Sequence, residues 1–303
     1  MIALGGNALL RQDDPLTAEQ QKANVTAAAE AIAPLIRAHE VVLAHGNGPQ
    51  VGLLAMQNTG DGGYPLDVLD AESEGMIGYL LEQALANVLP AGYRFATLLT
   101  QVEVDPDDPA FDNPTKPIGS TVSEEEARRL SDSRGWRFHC APDGCRRVVP
   151  SPKPQNIIDL PSIELLMSRG TVVICAGGGG IPTVCDENGK LSGVEAVIDK
   201  DRVSALLATQ LAADVLLMLT DVDAVYRDWN KPQARRIRRV SPNALREWFF
   251  EAGSMGPKVQ AAIEFVEATG GVAGIGALKD AQAILDGEAG TLVTRESSET
   301  VYW

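Results

Sequence analysis

Apolar residues along this chain are grouped in two ways. Short runs dominated by apolar residues occur at 2–4, 41–44, 95–100, 172–176, 194–198, 215–219, 272–278 and 291–294. Between them lie longer stretches with apolar positions at helical spacing. These run from a cap at Thr17 and Gln20 to Arg37, with a bend expected at Pro34, and then over 67–88, 161–169, 203–211, 257–268 and 280–285. The short runs are too uniformly apolar for half-exposed strands and read as strands covered on both faces, as in parallel sheets. Strand and helix alternate almost throughout, which predicts an α/β fold with a mainly parallel central sheet and helices on both faces. In this reading 102–104 extends the strand at 95–100, and Gly75 and Gly78 mark close packing on one face of the 67–88 helix.

The alternation breaks once. Over 105–154 the segments DPDDP, NPTKP and PSPKP crowd prolines around a charged helix expected at 123–134, so this stretch reads as an insertion projecting from the main sheet. A polar loop is expected to carry Arg235, Arg236, Arg238 and Arg239.

Composition narrows the function classes. The 303 residues are 45% hydrophobic and 22% charged, as in ordinary globular proteins. The excess of 41 acidic over 26 basic residues gives a net charge of −15. Such a charge repels nucleic acid and anionic membranes, so neither is an expected partner, and an anionic substrate needs a local basic pocket. The start, MIALGGNALL, has no basic flank and breaks at Gly5, so it does not read as a signal peptide, and no apolar run has membrane-spanning length. Cytoplasmic residence is the expectation. Cys140 and Cys145 flank a polar turn at which a disulfide or a metal is open, and Cys175 reads as a small buried hydrophobe.

The chemistry gathers where strands end. Three apolar runs empty into glycine: Gly5-Gly6-Asn7, Gly46-Asn47-Gly48 and Gly177 to Gly180. Ligands of open parallel sheets bind beyond the carboxyl ends of the strands, and glycine lets backbone N–H groups approach a phosphate there. Tight turning explains any one of these loops, but three less easily. No GxxxxGK[ST] occurs and GNGPQV lacks the third small residue of GxGxxG, so neither a P-loop enzyme nor a dehydrogenase is expected. Phosphoryl transfer without a P-loop still needs fixed cations. Lysine is scarce, and three stand in unusual settings: Lys116 between prolines in NPTKPIG, Lys200 between Asp199 and Asp201 in IDKD, and Lys258 after Gly-Pro in GSMGPK. Each taken alone also fits a solvated surface lysine. Asp201 reads either as a helix-starting carboxylate or as an anchor for lysines. His45 is either a general base or a satisfied buried histidine, and Asp221 and Asp223 are either turn residues or nucleotide contacts.

Together, ALGGNAL (3–9), HGNGPQVG (45–52), NPTKPIG (113–119), VVPSPKPQNIID (148–159), AGGGGIP (176–182), VIDKD (197–201), LTDVDAVY (219–226) and GSMGPKV (253–259) resemble the carbamate kinases, members of the amino acid kinase family. The resemblance covers nearly the whole chain. It implies a three-layer α/β/α sandwich, one domain over 1–303 with a protruding lid subdomain over 105–154. It also implies reversible transfer between ATP plus carbamate and ADP plus carbamoyl phosphate, with Mg2+ bound to the nucleotide, commonly ATP-forming in arginine breakdown, by a homodimer. By the same resemblance Lys200 and Lys258 stabilise the moving phosphoryl group, Asp201 orients them, and Lys116 closes over the site. Gly5, Gly6, Asn7, Gly46, Asn47 and Gly48 form the carbamate and γ-phosphate side. Gly177, Gly178, Thr220, Asp221, Tyr226, Ser254, Met255 and Gly256 hold the nucleotide. No residue is assigned as a metal ligand, and His45 drops in priority because carbamate is already an anionic nucleophile. Two departures stand out. Relatives commonly begin several residues earlier, so the first strand reads as shortened, and Ser120-Thr121-Val122 replaces a common PFY. The second departure leaves a kinase of another small carboxylate as an alternative, beside a binding regulator without turnover.

Overall fold

A computed structural model describes residues 1–9, 17–58, 63–250 and 255–303. Its centre is a ten-stranded sheet in which Val272–Ala277, Val215–Thr220, Ile2–Leu4, Val42–His45, Thr171–Ile174 and Arg94–Thr97 lie side by side, all parallel. Period-two alternation sends successive side chains to opposite faces. Leu4, Leu43, Ile174 and Leu219 pack on one side against Ile32 and Leu35 of the helix Ala18–Ala38 and Ile77 and Leu81 of the helix Leu66–Val88. Ala3, Met218 and Ile275 pack on the other against Ala205 of the helix Lys200–Gln210 and Phe265 of the helix Met255–Thr269. This is a three-layer α/β/α arrangement, and each fully buried Leu or Ile contributes about 2 kcal/mol relative to exposure. Thr17 caps the Ala18–Ala38 helix by accepting from Gln20 N at 3.3 Å.

Four expectations change. Residues 102–104 do not prolong the neighbouring strand: Gln101–Val104 joins a second sheet, parallel to Ile181–Cys185 and antiparallel to Pro154–Ile157. The arginine-rich "loop" is the strand Arg235–Val240: Ile237 and Val240 are buried three positions apart across a register shift in its pairing with Val301–Tyr302, and Arg238 and Arg239 between them are exposed, so two buried apolar positions rather than mean polarity identify it. It and Thr291–Val293 add an antiparallel edge to the parallel sheet. Residues 194–198 are no strand: Ala196 to Ile198 are buried, but only isolated hydrogen bonds hold the segment, such as Val197 N to Pro150 O at 3.0 Å. Of the two helical glycines only Gly78 is demanded by packing: a Cβ there would lie 2.3 Å from Thr97 Cγ2, whereas at Gly75 it would meet nothing nearer than 3.8 Å.

The stretch 105–154 contains a small sheet of Lys116–Val122, Gly144–Val149 and Arg137–Ala141, with the helix Glu124–Arg134 capped by Ser123. Cys140 and Cys145 stand opposite in its hairpin and form a disulfide. The sheet rests on the helix Gly48–Gln57 through Ile118, packed with Val51 and Ala55, and through Gly52, where a Cβ would lie 2.0 Å from Gly119 Cα.

Candidate active site

Residues 5, 46, 175 and 220 end or follow adjacent parallel strands, so the first two glycine loops, the glycine run and Thr220 share one edge of the sheet. They are pressed together. Gly5 N donates to Leu219 O at 2.7 Å and Gly46 N to Leu4 O at 3.0 Å, and a Cβ on Gly46 would lie 2.6 Å from Gly6 N. Gly6 and Gly48 differ: a Cβ at either meets nothing within 4 Å. Each begins a helix, Gly6–Leu9 and Gly48–Gln57; in the second Pro49 has no N–H and Gln50 N and Val51 N donate to Asn47 O, so among the described residues Gly48 N is the first-turn donor that meets open space. Asn7 lies within the first of these helices by its backbone.

Asn47 leads the second helix without capping it. Its side chain instead donates to Ser73 Oγ at 2.8 Å and to Asp70 Oδ1 at 3.4 Å. The glycine run has a physical cause different from the one read in the sequence. Its members are buried against protein, and Gly177 N donates to Glu74 Oε1 at 2.7 Å. A Cβ on Gly178 would lie 2.1 Å from Asn47 Nδ2, and one on Gly179 would lie 2.3 Å from Ile198 O. Gly178 and Gly179 also have φ of +69° and +107°. The run lets Asn47 and the Ile198–Lys200 backbone come close; it does not open its own backbone to a bulky ligand.

The basic centre lies at the start of the helix Lys200–Gln210. Asp201, 4% exposed, pairs with Lys200, and its Oδ2 accepts from Lys258 Nζ at 3.0 Å. Burial alone would raise the Asp201 carboxyl, but the two ammonium groups hold it well below its ordinary range. Burial lowers Lys200, opposed by Asp201. One buried carboxylate thus carries two buried cations, leaving an excess positive charge for an anion to meet. Lys116 reaches in from the small sheet, its Nζ 2.6 Å from Asp199 Oδ2. The three lysines that are separate in the sequence therefore meet two carboxylates of one helix turn.

Of the residues expected on the nucleotide side, Thr220 is buried at its strand end and its Oγ1 donates to Asp221 Oδ1 at 2.9 Å. Met255 and Gly256 form the first turn of the helix that carries Lys258, and Ser254 lies outside the described residues. The Tyr226 hydroxyl donates to Asp223 Oδ1 at 3.1 Å, and its ring meets Trp229 at 4.9 Å between centroids. His45 is fully buried, its Nδ1 donates to Gly46 O at 3.3 Å, and burial lowers it to about 4, so at neutral pH it is an uncharged packing residue beside Gly177.

Two residues escape the motif reading. Asp199 flanks Lys200 and serves as N-cap of its helix, a role that IDKD followed by an apolar periodic run could signal. Glu74, 1% exposed, accepts from Gly177 N and from Thr100 N at 3.1 Å, and burial raises its carboxyl to about 8. Its signal is spacing: Asp70, Glu74, Ile77 and Leu81 share the core-facing stripe of one helix, where an acid needs a reason.

Comparison with known proteins places the chain among close relatives. The profile of the amino acid kinase family matches residues 1–273. A carbamate kinase of Haemophilus influenzae is 54% identical over 100% of this chain and 99% of its own length. One from Escherichia coli is 49% identical over 97% of this chain and 98% of its own. The structure titled "Carbamate kinase from Giardia lamblia bound to AMP-PNP" superposes with a TM-score of 0.88 at 41% identity, covering 97% of each chain.

Proposed function

The chain belongs to the amino acid kinase family and within it to the carbamate kinases, and from that premise we propose how its residues carry out reversible phosphoryl transfer between ATP and carbamate. The observation that carries the reading is Asp201 holding Lys200 and Lys258 together at the sheet edge that also carries the open Gly6 and Gly48.

A carbamate oxygen attacks the γ-phosphorus in line, the bond to the bridging oxygen breaks, and its electron pair leaves on ADP; the reverse step forms ATP from carbamoyl phosphate. No protein nucleophile or base is required, because carbamate arrives as an anion. The chain's part is alignment and offsetting of negative charge. Lys200 and Lys258, oriented by Asp201, face the transferring oxygens, and Lys116 covers them from 105–154 acting as a lid. Backbone N–H groups at Gly6 and Gly48 receive the carbamate and γ-phosphate side, with Gly5, Gly46 and Asn7 shaping it. Gly178 acts indirectly by seating Asn47, and Gly177 by making room for His45 and Glu74. By the family resemblance Thr220, Asp221, Tyr226, Met255 and Gly256 hold the nucleotide, and a 41%-identical relative whose structure is titled as bound to AMP-PNP supports nucleotide binding as such.

Among the described residues no group of three His, Cys, Asp or Glu side chains is placed to hold a metal. Bound with the nucleotide, Mg2+ would supply charge neutralisation on the phosphates, and Asp221 would be a candidate carboxylate to hold it. The finer readings rest on resemblance: ATP formation in nitrogen breakdown such as that of arginine, cytoplasmic residence, and a homodimer. For the dimer, exposed Met76, Tyr79 and Leu99 beside the outermost strand Arg94–Thr97 offer an apolar face. No helix among the described residues is long and apolar enough to cross a membrane. The departure at Ser120-Thr121-Val122 falls on the outer half of the lid strand, with Ser120 and Thr121 exposed, so it gives no support to a different acceptor.

The test is Mg2+-dependent ATP formation from ADP and carbamoyl phosphate. Robust turnover is expected, and Lys200→Ala or Lys258→Ala should lower kcat by at least ~100-fold, as with loss of a donor that stabilises transition-state charge. Near-normal rates in both variants would refute the lysine assignment.

A further inference from the structure

Lys116 must reach the reaction centre from a separate small sheet, and something has to aim it. We infer that Asp199 is the positioning residue for the lid lysine, one carboxylate joining the lid to the helix that carries Lys200 and Asp201. The inference rests on the function proposed above.

The two oxygens of Asp199 do different work. Oδ1 accepts from Asp201 N at 3.0 Å and Arg202 N at 3.4 Å, fixing the first turn of the helix. Oδ2 accepts from Lys116 Nζ at 2.6 Å, across a chain separation of 83 residues. Asp199 is 8% exposed. Burial would raise its carboxyl, yet the Lys116 ammonium keeps it below its ordinary range. Asp201 cannot take over, because its oxygens are occupied by Lys200 and Lys258. Among the described residues Lys116 makes no other ion pair.

The remaining lid contacts do not aim Lys116. Ile118 against Val51 and Ala55, and Gly119 against Gly52, are apolar or steric and set only how closely the strand lies. Arg147 Nη2 pairs with Glu195 Oε1 at 2.9 Å, and Glu195 Oε2 accepts from Leu66 N at 2.8 Å, so this tether holds the opposite strand of the lid to the start of the Leu66–Val88 helix. Val197 N donates to Pro150 O at 3.0 Å beside Val149, the register partner of Lys116, and Arg134 Nη1 donates to Asn58 O at 2.9 Å; these fix lid backbone and leave the Lys116 ammonium to be directed by its one side-chain partner among the described residues, Asp199.

The pair is also built to exchange. The Lys116 side chain is 32% exposed, so the contact is partly hydrated and weaker than those of Asp201, whose partners are 12% and 13% exposed. A phosphoryl group carries more negative charge than one carboxylate and can draw the ammonium away. Asp199 then keeps capping through Oδ1, so the helix bearing Lys200 is undisturbed. Asp199 thus holds Lys116 within reach before phosphate arrives and receives it again afterwards, whereas Asp201 keeps its lysines throughout.

Asp199→Asn separates the roles, since Asn retains an Oδ1 acceptor suited to an N-cap but loses the charge. Steady-state kinetics with ADP and carbamoyl phosphate are measured for the wild type, Asp199→Asn, Lys116→Ala and the double variant. Asp199→Asn should lower kcat roughly tenfold, a loss of orientation rather than of the cation itself, and should cost nothing further in the Lys116→Ala background. Equal losses in both backgrounds, or wild-type kcat in Asp199→Asn, overturn the inference. Amide hydrogen exchange of 116–122 in the ligand-free protein gives a second readout without catalysis: faster exchange in Asp199→Asn is expected, and unchanged exchange overturns the inference. Should Asp199→Asn not fold, Asp199→Ser, which also caps helices, takes its place in both measurements. A wild type without turnover, but with the exchange difference present, would count against the proposed function and leave the positioning role standing.

Discussion

Replacing Asp201 by Asn removes one buried charge and leaves two behind. The carboxylate is 4% exposed and faces Lys200 and Lys258, the latter at 3.0 Å. At an effective dielectric near 20, one such contact is worth about 5–6 kcal/mol before desolvation is counted. Removal of one partner from a buried ion pair costs about 3–5 kcal/mol in practice, because the remaining charge stays uncompensated. For a chain of this size the melting temperature should fall by roughly 5–10 °C, and turnover should be lost because neither lysine keeps its direction. Thermal melts by circular dichroism measure the first effect and coupled ATP formation the second. Adding Lys258→Met to Asp201→Asn deletes one uncompensated cation, so the double variant should melt above the single one while remaining inactive. If Asp201→Asn melts within about 1 °C of wild type, or the double variant melts no higher than the single, the reasoning is refuted.

Other substitutions separate space left for a ligand from space filled by protein. Gly6→Ala and Gly48→Ala meet nothing within 4 Å, so both should fold with near wild-type melting yet raise KM for carbamoyl phosphate; unchanged KM in both would remove the acceptor from these loops. Gly52→Ala would force the 2.0 Å approach to Gly119 Cα apart, backbone against side chain, and should reduce kcat while speeding proteolysis within 105–154; wild-type values for both would show that the contact is not needed. Glu74 ionises near 8 in the fold against an ordinary 4.5. The stability from keeping it protonated is complete below about pH 4.5 and drains as pH rises through about 8. Glu74→Gln should therefore flatten the fall in melting temperature across that window, and an unaltered slope would refute the assignment.

Much of this was legible from one-dimensional patterns, for reasons of local physics. Uniform apolar runs such as 215–219 cannot lie at a surface, so they announced parallel strands buried on both faces. The cap at Thr17 and the proline-rich break at 105–154 likewise depend on near neighbours in the chain. Lys116, Lys200, Asp201 and Lys258 could be named because their settings between prolines, between carboxylates and at a helix start are unusual as sequence. Pattern failed where four arginines masked two buried apolar positions, as in Arg235–Val240, or where an apolar run was packed without a ladder, as at 194–198.

What only the tertiary structure decided is which residues share partners. Four glycines in a row looked like backbone offered to phosphate, but a Cβ on Gly178 would fall 2.1 Å from Asn47 Nδ2 and one on Gly179 2.3 Å from Ile198 O, so protein occupies that space, while among the described residues the open glycines are the less conspicuous Gly6 and Gly48. Asp199 gained its meaning from Lys116, 83 residues away in the chain. Glu74 gained its meaning from Gly177, 103 residues away. A sequence determines local propensity and the side of an element that must be buried; which distant group satisfies a buried charge depends on how the layers stack, and that is where this protein's site is assembled.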